Sequence, residues 1–141
     1  MLQDLLFGLF AAVTYGVIGL LMMALGYVLV DLGTPGRLRD LIWEQRNPNA
    51  AMLLVSGLVG VGIILTTAIA ASSNDLVAGL IGTVAYGLLG LLLMSLSFLV
   101  IDLFTPAKLG EELSSPTLHP GTWVSAAAHV VIATLMAAAI W

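Results

Sequence analysis

The chain has 141 residues, 60% of them hydrophobic and only 9% charged, with a net charge of −4 and a mean hydropathy of +1.12. Soluble domains carry about 25% charged residues, so a mostly wet surface is excluded. Four basic residues in all exclude a nucleic-acid patch, and the lack of cysteine removes disulfides, thiol nucleophiles and thiolate metal sites.

No charged residue lies between Asp4 and Asp31, between Arg46 and Asp75, or between Asp75 and Asp102, and no Asp, Glu, Lys or Arg follows Glu112. Each stretch is longer than the ~18 apolar residues that mark a spanning helix. The pattern predicts an all-α integral membrane protein with four transmembrane helices, at about 4–31, 49–71, 75–103 and 120–140. The first is read as a retained span. It has no basic start, and its apolar run from Leu5 to Val30 exceeds the about 7–15 residues of a signal peptide.

The chain repeats itself. A shift of 71 residues places Tyr15-Gly16 and Gly19 on Tyr86-Gly87 and Gly90, and Asp31-Leu32-Gly33-Thr34-Pro35 on Asp102-Leu103-Phe104-Thr105-Pro106. Residues 3–38 against 74–109 agree at 17 of 36 positions. Two units follow, 1–71 and 72–141, each with two spans. An even number of spans gives both units the same orientation, so this is a parallel repeat with its axis along the membrane normal.

Arg37, Arg39 and Arg46 follow the first span and Lys108 follows the third. Basic residues are retained on the cytoplasmic side, so loops 32–48 and 104–119 are expected there and both termini outside. Ser72-Ser73-Asn74 forms a tight outer turn, with Ser73 or Asn74 as the cap of the third helix. In the loops, Thr34-Pro35 and Thr105-Pro106 fit helix starts, Thr as N-cap and Pro in the first turn. Leu38, Leu41 and Ile42 then share one face, beside Trp43, which predicts a short amphipathic interfacial helix. Asn47-Pro48 breaks it, as His119-Pro120 does in the second unit.

At about 100° per residue, Gly79, Tyr86, Gly90 and Ser97 fall on one stripe of the third helix, matched by Gly8, Tyr15, Gly19 and Gly26 on the first. Small residues let helices approach closely in lipid, so the stripe is read as a packing seam crossed by a Tyr hydroxyl. Asp31 and Asp102 stand where a span meets its loop. One reading has them accept backbone amides and fix the turn. The other makes them an ion or proton site.

His129 lies inside the fourth span among Ser125, Ala126 and Ala133, on a face turned to other helices. A histidine there suits proton relay or pH sensing, or a neutral hydrogen-bonded packing role. His119, Glu111 and Glu112 match no metal-ligand spacing, and no phosphate loop, nucleophile–base pair or dinucleotide fingerprint is present. No metal and no cofactor are expected.

Two tandem two-span units, each with a Tyr-Gly first helix ending in Asp-Leu-x-Thr-Pro, resemble the YjfL-like bacterial inner-membrane proteins, domain-of-unknown-function family 350. The resemblance covers nearly the whole chain. It implies a four-span protein of the bacterial plasma membrane and no particular activity. The residues themselves suggest a homo-oligomer, a dimer or larger, conducting ions or small cationic solutes past Asp31 and Asp102. The alternative is a non-catalytic scaffold or stress-response subunit binding a partner protein. An intramembrane enzyme ranks third, because no complete catalytic set is visible.

Overall fold

Long apolar runs can cross lipid only as helices, because every backbone amide and carbonyl must find its partner within the chain. A computed structural model describes residues 1–72, 75–104 and 113–141, with Phe98 described by its backbone alone. Its helices are α1 (Leu2–Gly33), α2 (Pro48–Ala70), α3 (Leu76–Phe104) and α4 (Pro120–Ile140). Each is long and apolar enough to span a membrane, and each end falls within two residues of the sequence prediction.

The helix starts follow local chemistry. The Asn47 carboxamide oxygen accepts the amides of Asn49 (2.9 Å) and Ala50 (3.2 Å), with Pro48 opening α2. His119 Nδ1 accepts the Gly121 amide at 3.1 Å before Pro120 opens α4. The cap of α3 is Asp75, whose Oδ1 accepts from Val77 (2.9 Å) and Ala78 (3.2 Å). Ser73 and Asn74, expected in that role, lie outside the described residues.

The first loop differs from expectation. Thr34 does not start a helix; its hydroxyl turns back onto the Asp31 carbonyl at 3.0 Å and closes α1. Gly36, at φ +111°, then reverses the chain in a conformation that only glycine adopts cheaply. The helical piece begins at Leu38, and the wide turn Asp40–Glu44 is closed by the Gln45 amide on the Asp40 carbonyl at 3.0 Å. Leu38 and Leu41 are buried against Val30, Ala50, Leu53 and Leu113. The predicted amphipathic face is thus sealed onto the bundle, and only Trp43, 65% exposed, is turned outward. Thr105 and Pro106, expected to do the same in the second unit, lie outside the described residues.

α2 is the central helix, packed against α1, α3 and α4, while α1 packs against α2 and α3. Contacts give the directions. Pairs between α1 and α3 (Tyr15–Gly79, Met22–Gly87, Gly26–Leu91) rise together, so these helices are parallel. Pairs between α2 and α3 (Gly60–Met94, Ile64–Gly90) run in opposite senses, so these are antiparallel. Asn49–Thr122, Ser56–His129 and Gly60–Ala133 rise together, so α2 and α4 are parallel. The core centres on Val61, Ile64, Leu65, Leu91 and Met94.

Candidate functional site: a polar seam and two acidic helix ends

Polar side chains that enter an apolar bundle must satisfy one another, because lipid offers no partners. Here they line up along the α2–α4 contact. Asn49 is fully buried near the start of α2. Its carboxamide oxygen accepts the His119 amide (2.7 Å) and the Thr122 hydroxyl (2.9 Å). Its Nδ2 donates to the carbonyls of Thr117 (3.0 Å) and Ser115 (3.2 Å). Asn47 Nδ2 adds a bond to the Leu113 carbonyl at 2.5 Å. Two asparagines of the first unit thereby fasten the segment that leads into α4.

Two turns further along, His129 Nδ1 meets the Ser56 hydroxyl at 2.8 Å. The same hydroxyl lies 3.0 Å from the Leu53 carbonyl. His129 is 1% exposed. His129 Nδ1 thus bonds across the α2–α4 contact. A void of about 20 Å³ adjoins the histidine, walled by Gly26, Val30, Gly57, Leu91 and Met94. That is room for one small molecule such as water and not for a solute path.

The acidic ends differ from each other. Asp31 Oδ1 accepts the Leu38 amide at 2.6 Å across the loop. This is the turn-fixing geometry, and no ion pair with Arg37 accompanies it among the described residues. Asp102 is exposed in the last turn of α3. The two are also not level. Facing residues of α1 and α3 are 64 or 65 apart in the chain, whereas the repeat is 71. Asp102 therefore stands about six residues, or ~9 Å of helix rise, beyond Asp31.

The predicted seam residues divide. On α3, Gly79 packs under the Tyr15 hydroxyl, Gly90 under Ile64, and Ser97 is buried. Tyr86 is 42% exposed, at the edge of the contact, because Thr83 and Gly87 carry it one residue over. On α1, Tyr15 reaches Ser72 Oγ at 3.3 Å, and a Cβ on Gly26 would lie 3.2 Å from Val61. Gly8 and Gly19 have nothing within 4 Å of an added Cβ. The stagger explains Gly8, which lies beyond the start of α3. No cluster of His, Asp or Glu that suits a metal occurs among the described residues; Glu111 and Glu112 lie outside them. Sequence reasoning missed Asn49 and the partnership of Ser56 with His129. An Asn directly after Pro48, inside an apolar run, was the available signal.

The residues that build this architecture, from the Asp31 turn to the α4 seam, all fall inside one family model, Domain of Unknown Function (DUF350), which matches residues 3–140. The chain belongs to the DUF350 family. Relatives of this DUF350 protein include a UPF0719 transmembrane protein of Mycolicibacterium paratuberculosis, 34% identical over 99% of the chain and 92% of the relative. A UPF0719 transmembrane protein of Mycobacterium bovis is 35% identical over 99% and 91%. No solved structure matches. The fold and the relatives together make this DUF350 chain a multi-pass membrane protein.

Proposed function

We infer that the chain is a non-catalytic subunit of a homo-oligomer of the bacterial inner membrane, conducting ions or small cationic solutes between its copies. The four basic residues favour the cytoplasmic side for residues 32–48 and 104–119 and the outer side for both termini.

One observation carries this reading. The interior of one chain is closed along the α2–α4 contact, where Asn49, Thr122, Ser56 and His129 bond to one another, while the two acidic residues stand at the ends of α1 and α3, Asp102 exposed. A path through one copy has no room, so the carboxylates act where copies meet. In a ring of copies Asp31 and Asp102 form two acidic tiers ~9 Å apart along the helix rise, which favour cations at the mouth. Asp31 keeps a second carboxylate oxygen beyond the one bonded to Leu38.

The test is cation flux into proteoliposomes, for monovalent ions and a short polyamine. Flux is expected from the wild type and at least tenfold less from the Asp31→Asn, Asp102→Asn double variant. Asn retains an acceptor for the Leu38 amide, so the turn survives. Tight liposomes with every cation, or full flux in the double variant, would sink the reading. A scaffold role has its own support in residues 2–10 of α1, all exposed; a stable hetero-complex on affinity purification would favour it.

A further inference from the structure

Each side of the α2–α4 pair has a groove, and only one is filled. α3 lies in the first: Gly90 meets Ile64 and Gly87 meets Leu65 on α2, and the Met94 tip reaches Gly60 where α2 touches Ala133 of α4. At about 100° per residue, Met52, Val55 and Val59 of α2 fall on the opposite side of the α4-facing line Asn49–Ser56–Gly60. With Trp123, Ala127 and Val130 of α4 they wall an apolar groove of about 490 Å³. A further hollow of about 360 Å³ between Thr66, Ala70, Ala137 and Trp141 continues it toward the helix ends.

The partners across the α2–α4 contact stand 73 residues apart. Turning that pair about its contact line exchanges α2 with α4 and carries the α3 seat onto the empty groove. The helix that matches α3 in sequence is α1.

α1 presents the matching face, and the chain does not use it. The face by which α3 sits down is Gly79, Thr83, Gly87, Gly90 and Met94. Its counterparts 71 residues earlier are Gly8, Ala12, Gly16, Gly19 and Met23. All but half-buried Gly19 are exposed, and a Cβ on any of the three glycines would meet nothing within 4 Å. α1 packs in its own chain by a neighbouring face, through Tyr15, Met22, Gly26 and Val30. Its link to α2 is fastened by the buried Leu38–Leu41 piece, so it does not swing round to the empty groove.

We propose that the groove between Met52–Val59 of α2 and Trp123–Val131 of α4 seats α1 of a second copy of this chain. The donated face is Gly8, Ala12, Gly16, Gly19 and Met23. The seat requires α1 to run antiparallel to α2 and α4, as α3 does. Both copies then share one orientation in the membrane, and because α1 and the groove lie on opposite sides of α2 the contact runs head to tail, each copy donating its α1 to the next around a ring. Close approach of small residues supplies the packing that drives helix association in lipid. This proposal rests on the oligomer reading above and names its interface.

The chain has no cysteine, so cross-linking needs no background substitutions. Ile64, which meets Gly90, corresponds to Ala137 on α4 by the 73-residue step. Two differently tagged copies, one Gly19→Cys and one Ala137→Cys, are co-expressed and oxidised in membranes. A disulfide-linked pair carrying both tags is expected, several-fold above the control pair Gly19→Cys with Leu96→Cys, whose second site lies on α3 in the separate groove between α3 and α4. Links no stronger than the control overturn the seat.

The mass of the wild type in nanodiscs separates the failures. A dimer or larger without the Gly19–Ala137 link removes only the seat; a monomer with lipid in the groove removes the oligomer as well. Val59→Trp fills the groove from an exposed position and is expected to yield monomers of unchanged helix content. A Val59→Trp protein that stays oligomeric also overturns the proposal.

Discussion

Two glycines with the same place in the repeat have opposite surroundings. Gly90 is pressed against Ile64, and Gly19, 71 residues earlier, has open space around it. Overpacking a tight contact costs about 1–3 kcal/mol. Gly90→Ala is therefore expected to lower stability by about that much in detergent unfolding, and Gly19→Ala to leave the single chain unchanged. Equal effects from the two would contradict the packing described. Ser56 tests the seam in the same way. Hydrogen bonds between membrane helices average about 0.6 kcal/mol and reach about 2. Ser56→Ala leaves His129 Nδ1 buried without its partner of 2.8 Å, so a loss of about 1 kcal/mol is expected in SDS titration. A stabilised Ser56→Ala would mean that the bond contributes nothing. Both histidine roles were open in the sequence. The structure supplied Ser56, a residue 73 positions away, and no local pattern could have named it.

Among elements, the segment leading into α4 depends most on one distant side chain. Asn49 holds Ser115, Thr117, His119 and Thr122 from the first turn of α2. Each buried polar group left unsatisfied costs about 1–3 kcal/mol, and several would be orphaned together. Asn49→Ala is expected to cost about 3 kcal/mol, more than Ser56→Ala, with early protease cutting between 113 and 119. Wild-type protease resistance would show that the loop is held by other means. The four spans were legible because charge-free runs longer than 18 residues have few alternatives. The roles of Thr34 and Pro35 were not. Thr serves equally as an N-cap or as a donor back to the preceding turn, and the choice was made by Gly36 and by the Asp31 carboxylate seven residues from its Leu38 partner.

For the molecule as a whole, α1 is the outer helix, burying only Met22, Gly26 and Val30 along its 32 residues. At ~1.5 Å per residue it is ~48 Å long, against a hydrocarbon core of ~30 Å. Its facing residues on α3 show it displaced along the bundle by about two turns from repeat register, which sets Asp31 and Asp102 at different depths. Flux and cross-linking therefore probe different levels, the acidic ends and the α1 face, and each can fail without the other. The sequence by itself determined the membrane as solvent, the number of spans, the sharing of residues between two halves and the sites of the polar breaks, because these follow from where charge is absent and where Pro, Gly and Asp recur. Only the tertiary structure decided that α2 is central, that α1 stays outside, and that His129 Nδ1 meets Ser56. All four spans are equally apolar, and lipid is as good a solvent for one as for another. Which helix becomes central is settled by which small residues let two backbones close together, and that depends on pairs of positions far apart in the chain.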